Sequence, residues 1–353
     1  MIDKREIKKY VLDNSIKYKG KANPHSVANH IIAKYPEVKK DMKSFMKELH
    51  KIIREVNSIG LEEQIKEMNK LGEVEKIERK ESGLFDFLNI KKGQKVTTAF
   101  PPGPEKYPHI GHAKALYLNY LLSNEYNGKF ILRFEDTNPE LVESRYYKIM
   151  LDNFSWLGVK WYKLQYASDY MNIFYNFGEK LIKENKAYVC FCSSEKIQEN
   201  RNKGIECSCR NINTKLNLEN WRKFFKAKPK SCVVRLKGNM EHKNSMFRDP
   251  TIFRIITKKH PRTKNKYSVW PTYDFQNPIM DGYFNVTHRL RSKEFEHSAE
   301  LQIHIQKLLG LNITKTYEFA RFDMKGIPSS GRIIREKIKN NELLGWDDPR
   351  LTT

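Results

Sequence analysis

Two histidines stand three residues apart in the stretch His109-Ile110-Gly111-His112. Residues at this spacing lie on one face of a helix. An apolar segment that reads as a strand precedes them, and a turn rich in proline and glycine lies between. Both imidazoles are thus predicted at the first turn of a helix, where free backbone N–H groups and the helix dipole favour an anion. Gly111 has no side chain, so a flat base could approach the backbone closely. The stretch suits a nucleoside triphosphate.

The chain carries a large excess of positive charge. Its 353 residues include 65 Lys and Arg against 42 Asp and Glu, a formal net charge of +23 at pH 7. Such an excess favours a polyanionic partner, most simply a nucleic acid. A proteome rich in lysine and asparagine would place the same excess on every surface, so the charge alone leaves both interpretations open.

The sequence contains neither a membrane span nor a secretion signal. A bilayer-spanning helix needs a run of about 18 apolar residues, and none is found. The first six residues include no apolar segment typical of a signal peptide. Five cysteines, four of them clustered, suit a reducing compartment better than a disulfide framework. We expect a cytoplasmic protein without a membrane partner.

The clustered cysteines form two C-x-C pairs, namely Cys190 with Cys192 and Cys207 with Cys209. Four thiolates suit a closed, tetrahedral, structural Zn²⁺ site. The alternative is four buried or free thiols. The symmetric pairing favours zinc, since two free pairs would be prone to oxidation. Cys232 lies in an apolar run and is expected in the core.

Periodicity divides the chain into a helical part and a part where strands and helices alternate. Apolar residues from Val38 to Val56 recur at spacings of three and four, as on one face of a long helix, with Pro24 as a helix start and Gly60 as a stop. From residue 95 onwards, short apolar runs such as Phe130–Phe134 indicate buried parallel strands. We predict an α/β fold with a doubly wound sheet. The predicted boundaries are 1–82 for a helical domain, 95–187 and 266–320 for two halves of the doubly wound domain, 188–265 for an insertion, and 321–353 for a terminal region.

Further motifs carry a family resemblance. Besides Phe100-Pro101-Pro102 and the H-I-G-H stretch, they are Lys19–Pro24, Arg133–Pro139, Trp156–Gly158, Arg248–Arg254, His260–Thr263, Trp270–Phe275, Val286–Arg291 and Gly345–Arg350. Together they resemble the archaeal-type glutamyl-tRNA synthetases, a branch of the class I aminoacyl-tRNA synthetases, nearly end to end and in the right order.

The resemblance implies a fold and a reaction. The fold is a Rossmann-like class I catalytic domain with an inserted, zinc-binding domain for the tRNA acceptor end, an N-terminal helical domain, and a terminal region with a signature loop and the start of a stem-contact region. The substrates are ATP with Mg²⁺, L-glutamate and tRNA. Glutamate attacks the α-phosphate of ATP to give glutamyl-adenylate, and the terminal ribose hydroxyl of tRNA then takes the glutamyl group. His109 and His112 would donate hydrogen bonds to the phosphates, while Gly111 would admit the nucleotide.

The resemblance also implies a binding site for the amino acid. Glu135 matches an acidic residue that holds the amino group, and Tyr273 and Asn277 match residues that line the pocket. Arg291 matches an arginine that pairs with a substrate carboxylate. A guanidinium binds a carboxylate through two hydrogen bonds, whereas a glutamine side chain would leave the charge unpaired. Arg291 is therefore expected to favour glutamate.

The chain departs from the family pattern before the H-I-G-H stretch. The family usually has an arginine at the position of Ala99, which contacts glutamate, and a polar residue at Gly103. Glu105 and Lys106 replace a small residue and a glycine. Half of the expected carboxylate clamp is therefore missing.

The second family signature is recognisable by its position in the chain, although its residues differ from the family pattern. The aligned stretch is Pro328-Ser329-Ser330-Gly331-Arg332. Arg332 would supply the catalytic positive charge on the triphosphate, and Ser329 and Ser330 would bind phosphate oxygens.

Three functions remain open at this point. The chain ends at Thr353, before the anticodon-binding barrels of the family, which suggests a split or truncated glutamate–tRNA ligase with a separate C-terminal anticodon-binding chain. The second hypothesis is a compact enzyme like glutamyl-Q tRNA synthetase, and the N-terminal helical region argues against it. A non-catalytic paralogue that binds tRNA or a synthetase is the third.

Overall fold

The computed structural model describes residues 2–72, 74, 83–322 and 331–351, except for the side chain of Arg332. Ser329 and Ser330 of the predicted phosphate loop lie outside the described residues, as does the Arg332 side chain. The chain divides into two compact units, Met1–Leu88 and Asn89–Thr353. In the part of the chain that the structure describes, no helix combines the length and the apolar character that crossing a bilayer requires.

The described residues of the first unit are helical. Its α-helices are α1 (Lys4–Lys17), α2 (Pro24–Lys34), α3 (Met42–Asn57) and α4 (Leu61–Leu71), with a 3₁₀ turn at Pro36–Asp41. Asp41 accepts a hydrogen bond from the backbone N–H of Ser44 and caps α3. The long helix expected from Val38 to Val56 therefore begins only at Met42, and Val38 lies in the preceding 3₁₀ turn. Pro24 begins α2 as predicted, while Gly60 precedes α4.

The second unit begins with alternating strands and helices. They are β1 (Thr97–Phe100), α5 (Ile110–Glu125), β2 (Lys129–Phe134), α6 (Ser144–Trp156), β3 (Lys163–Tyr166) and α7 (Met171–Lys183). An interrupting segment contains β4 (Ala187–Cys190), α8 (Ser194–Lys203), α9 (Thr214–Phe224), β5 (Val233–Leu236), β6 (Thr251–Ile255) and β7 (Val269–Pro271). The unit closes with α10 (Tyr273–Tyr283), β8 (His288–Ser292), α11 (Glu296–Leu309), β9 (Lys315–Phe319) and α12 (Gly331–Lys339).

These strands form two sheets among the described residues. One is a five-stranded parallel sheet in the order β3-β2-β1-β8-β9, and the other is a four-stranded antiparallel sheet in the order β4-β5-β6-β7. The α/β class and the parallel sheet agree with the expectation from sequence. Strand β7 lies inside the range predicted for the second half of the doubly wound domain, yet it pairs with β6. The antiparallel segment thus extends to Pro271.

A buried asparagine joins α5 to the centre of the parallel sheet. Thr98 of β1 is in register with His288 of β8. Just beyond this pair, the Asn119 side chain accepts from the N–H of Leu290 at 3.0 Å and donates to its C=O at 2.7 Å. Asn119 therefore satisfies both backbone groups of the residue that separates the two arginines of β8.

We predict that Asn119→Leu lowers the free energy of unfolding by about 2 kcal/mol or more, because it leaves two buried backbone groups of Leu290 without a partner. Urea unfolding measures the change. The control is Asn124→Leu on the exposed side of α5, which should shift stability by no more than about 0.5 kcal/mol. Equal, small shifts in both variants would contradict the role given to Asn119.

Candidate active site

A cavity of about 740 Å³ lies at the carboxyl ends of the parallel strands. Its lining includes Pro101 and Pro102 after β1, Glu135 after β2, and Arg291 near the end of β8. Parallel strands bring their carboxyl ends to one edge, which is where ligands bind in such sheets. The first turn of α5 borders the same cavity through His109 and His112.

Backbone hydrogen bonds fix both histidines at the start of α5. His109 is the N-cap residue, with an extended φ of −135°. Its Nδ1 accepts from the N–H of Gly111 at 3.1 Å. The Nδ1 of His112 accepts from the N–H of His109 at 3.2 Å, and the two ring centroids lie 3.9 Å apart. Because each Nδ1 accepts a hydrogen bond, each neutral ring carries its own proton on Nε2.

The surroundings keep these imidazoles uncharged. Burial, together with the nearby positive charges of Lys106 and Arg321, lowers the pKa of His109 to about 4. The pKa of His112 is lowered as well, first by burial and then by His109 and Lys106. Two neutral Nε2–H groups at a helix N-terminus can therefore donate hydrogen bonds to an anion while each ring stays uncharged.

Glu135 lies at the buried end of the cavity. Its Oε1 accepts from Arg133 Nε at 2.8 Å and from Asn277 Nδ2 at 3.2 Å. Burial raises the pKa of Glu135, whereas Arg133 and Arg289 beside it act in the opposite direction. A carboxylate held this way leaves its other oxygen for a cationic group of a ligand.

Arg291 and Tyr273 meet across the same cavity. The Nη2 of Arg291 donates to the Tyr273 hydroxyl at 2.9 Å, and its Nη1 donates to Gln302 Oε1 at 2.9 Å. The guanidinium carbon also lies 4.5 Å from the centre of the Phe295 ring. Among the described residues, the hydrogen-bond and ring partners of Arg291 are all neutral, which leaves its charge available to an anion.

The structure places most of the site residues predicted from sequence in one place. The residues that line the cavity are His109, Gly111, His112, Glu135, Tyr273 and Arg291. Asn277 does not line the cavity itself, but it donates a hydrogen bond to Glu135, which does. Local packing also favours glycine at position 111, because a Cβ there would lie 3.0 Å from the His109 ring.

The motifs gave no role to four polar residues that complete the buried end, namely Arg133, Asp281, Arg289 and Gln302. Arg133 donates to Asp281 at 3.0 Å, and Arg289 also donates to Asp281 and, at 2.5 Å, to Asn277. For two of them, the sequence spacing from a predicted site residue could have indicated a place in the site. Asp281 lies one helical turn after Asn277, and Arg289 precedes Arg291 by two residues on a strand.

The departures before the H-I-G-H stretch are also located by the structure. Ala99 is fully buried in β1. Gly103, Glu105 and Lys106 line the cavity. Burial raises the pKa of Glu105 and lowers that of Lys106, and the Lys106 ammonium lies 6.0 Å from the centre of the Trp346 ring.

The four clustered cysteines converge at the end of β4. Their sulfur atoms all lie within 4.8 Å of one another, and those of Cys190 and Cys207 are 3.7 Å apart. Tetrahedral Zn²⁺ with Zn–S bonds of about 2.3 Å requires S–S distances of roughly 3.8 Å. Donation from Cys190 lowers the pKa of Cys207 to about 4. The sulfur atoms therefore fit a tetrathiolate metal site.

A buried arginine faces this cluster. An Arg235 Nη1 lies 3.7 Å from Cys207 Sγ and 4.0 Å from Cys190 Sγ, while its Nε donates to the Asp249 carbonyl at 2.8 Å. The Tyr188 hydroxyl lies 3.6 Å from Cys207 Sγ and donates to an Asp249 carboxylate oxygen at 2.8 Å. The Arg235 cation thus lies where it can balance part of the negative charge of thiolates. Cys232 is buried in the hydrophobic core, apart from the cluster.

The sequence defines the class of protein to which this architecture belongs. Residues 95–353 match the family model for the catalytic domain of class I tRNA synthetases (E and Q). The chain belongs to this family of class I tRNA synthetases.

Individual relatives agree with this assignment. The chain is 40% identical over 356 residues to the glutamate–tRNA ligase of Nitrosopumilus maritimus and 39% identical over 343 residues to that of Methanocaldococcus jannaschii. These alignments cover 99% and 97% of this chain, but the chain spans only 62% of the length of each relative. A crystal structure of a glutamate tRNA ligase from Elizabethkingia meningosepticum shares the fold, with a TM-score of 0.52 and 19% identity over 69% of this chain and 53% of that one.

We predict that His109 and His112 are neutral Nε2–H tautomers at pH 7. The pKa of His109 falls from its ordinary value of 6.5 to about 4 on folding. Between these values the unfolded chain binds more protons than the folded chain, so stability decreases as the pH falls through this window. Nitrogen NMR of labelled histidine measures the tautomer and the titration, and His109→Gln and His112→Gln assign the signals. Titration of both rings near 6.5 would contradict this prediction.

Proposed function

We propose that this chain catalyses the ATP-dependent attachment of L-glutamate to tRNA through a glutamyl-adenylate. One observation carries the proposal: a single cavity joins two neutral Nε2–H donors at a helix N-terminus to a buried end with one free carboxylate oxygen and an arginine held by neutral groups. The first half suits a triphosphate, and the second suits an amino acid that carries an additional carboxylate.

In the proposed first step, an α-carboxylate oxygen of glutamate bonds to the α-phosphorus of ATP, and the bond to the bridging oxygen of pyrophosphate breaks. His109 and His112 donate from Nε2 to phosphate oxygens, where negative charge increases in the transition state. Mg²⁺ bound to ATP supplies additional positive charge. Arg332, Ser329 and Ser330 are proposed to hold the pyrophosphate portion, on the strength of the sequence resemblance alone.

The amino acid is proposed to bind at the buried end of the cavity. Glu135 accepts from its ammonium group, and Asn277 and Arg133 hold that carboxylate in place. Arg291 pairs with the side-chain carboxylate, while Tyr273 fixes the direction of the guanidinium. In the second step, the terminal ribose hydroxyl of tRNA attacks the activated carbonyl and AMP leaves.

The antiparallel segment is proposed to be a zinc-stabilised insertion that contacts the tRNA acceptor end, and residues 2–72 a helical domain as in archaeal-type relatives. Cys190, Cys192, Cys207 and Cys209 would hold Zn²⁺ as four thiolates. Such a group carries net negative charge, and Arg235 lies close enough to offset it. The metal has a structural role here, and no step of the reaction passes through it.

The reaction is tested by glutamate-dependent exchange of pyrophosphate into ATP, with and without tRNA and with and without a separate C-terminal anticodon-binding chain, the partner expected from sequence. We predict exchange by the unaltered chain in at least one of these conditions. His109→Ala and His112→Ala should each lower the rate about 10²- to 10³-fold, because each removes a donor to the developing charge.

Asn172→Ala on the exposed side of α7 is the control and should leave the rate unchanged. Absence of exchange with every amino acid in every condition, or full exchange in both histidine variants, would overturn the proposal. Transfer of labelled glutamate only to a modified base of tRNA in the second step would favour a glutamyl-Q-type enzyme.

We predict one Zn²⁺ per chain, measured by mass spectrometry of metals after dialysis. Cys207→Ser should lose most of the metal because it removes a ligand. Arg235→Gln should keep all four ligands and yet bind zinc about 10- to 100-fold more weakly in chelator competition, as is typical when a partner of a ligand is removed. Cys232→Ser, which changes a cysteine outside the cluster, is the control. Equal zinc in all three variants would contradict the site.

A further inference from the structure

Arg289 is a buried cation at the inner end of the cavity. It lines the cavity, and only 2% of its surface is exposed. Its guanidinium donates to Asn277 and shares Asp281 with Arg133. Its Nε has no hydrogen-bond partner among the described residues, and neither has the Oε2 of Glu135 nearby. A buried polar atom without a partner costs free energy unless a ligand satisfies it.

The charges at this end of the cavity do not cancel. Three guanidinium groups, those of Arg133, Arg289 and Arg291, face two carboxylates, those of Glu135 and Asp281. Two further carboxylates line the cavity, but Glu294 pairs with Arg321 and Glu105 lies beside Lys106. Asp274 is separated from Arg291 by Gln302, which accepts from the arginine and donates to Asp274. Asp274 does not line the cavity. One positive charge is therefore left over where desolvation makes an uncompensated charge costly.

The strand register explains how Arg289 fits into this place. Thr98 of β1 is in register with His288 of β8. Side chains alternate along a strand, so the next residues, Ala99 and Arg289, lie side by side on the opposite face of the sheet. Ala99 is fully buried and has only a methyl group on that face. Arg291 follows on the same face, about 6.7 Å further along the strand.

We propose that Arg289 is a specificity-determining residue that forms, together with Arg291, a two-arginine clamp on the side-chain carboxylate of the amino acid. This proposal rests on the proposed function. Glutamate has a net charge of −1 and cancels the excess positive charge, whereas glutamine is neutral and leaves it in place. Arg289 thus contributes to the choice of glutamate over glutamine from the strand next to Ala99.

The test compares Arg289→Gln with the unaltered chain in pyrophosphate exchange. The KM for glutamate should rise about 10- to 100-fold and the preference for glutamate over glutamine should fall by the same factor, because one charge-assisted hydrogen-bonding group is lost. The KM for ATP should stay unchanged. Arg145→Gln removes an exposed arginine that does not line the cavity and is the matched control. An unchanged KM for glutamate in a folded Arg289→Gln variant would overturn the proposal.

A second variant covers the case in which Arg289→Gln does not fold. The double variant Ala99→Arg/Arg289→Ala returns a guanidinium to the same space from β1. It should recover a preference for glutamate that Arg289→Ala alone lacks. A folded double variant without such recovery would count against the clamp.

Calorimetry separates this proposal from the reaction itself. If the unaltered chain binds L-glutamate more tightly than L-glutamine and Arg289→Gln removes the difference, the clamp stands even when no exchange is detected. If glutamate-dependent exchange is found and Arg289→Gln retains the full preference, the clamp fails while the proposed function stands. Equal binding of both amino acids by the unaltered chain would overturn the clamp.

Discussion

The site depends on how the backbone at the start of α5 captures two imidazoles. His109 and His112 accept hydrogen bonds from the N–H groups of Gly111 and His109, which would otherwise lack partners at a helix N-terminus. One set of bonds thereby caps the helix and leaves the proton of each neutral ring on Nε2, in two histidines that line the cavity. Burial keeps both rings neutral, so the donors persist near pH 7. Without these bonds, the helix end would lose its cap and the two imidazoles would lose their fixed positions.

The opposite end of the cavity is built from charges that can be buried only because they share partners. Arg133 joins Glu135 to Asp281, and Asp281 joins Arg133 to Arg289. Asn119 holds the backbone of β8 between its two arginines, so the helix that carries the histidines also positions the strand that carries the cations. The two halves of the cavity are therefore fixed relative to each other within one unit.

Much of this arrangement followed from sequence, and the remainder depended on long-range contacts. The apolar run and the proline-rich turn predicted a strand before the H-I-G-H stretch and a helix beginning at it, and β1 and α5 lie there because local patterns set these features. The sequence did not reveal the role of Asp281, whose partner Arg133 lies 148 positions away. Nor did it reveal that β7 pairs with β6, because apolar alternation does not say which sheet a strand joins. Asp41 caps the N-terminus of α3, so this helix begins at Met42 and not near Val38, and apolar periodicity does not record such a side-chain bond.

The most direct measurement is an experimental structure of the chain with a non-hydrolysable ATP analogue and L-glutamate. We predict phosphate oxygens within hydrogen-bond distance of the Nε2 atoms of both His109 and His112, and the amino acid between Glu135 and the arginines of β8. Nucleotide bound elsewhere, with both imidazoles turned away from it, would contradict the account.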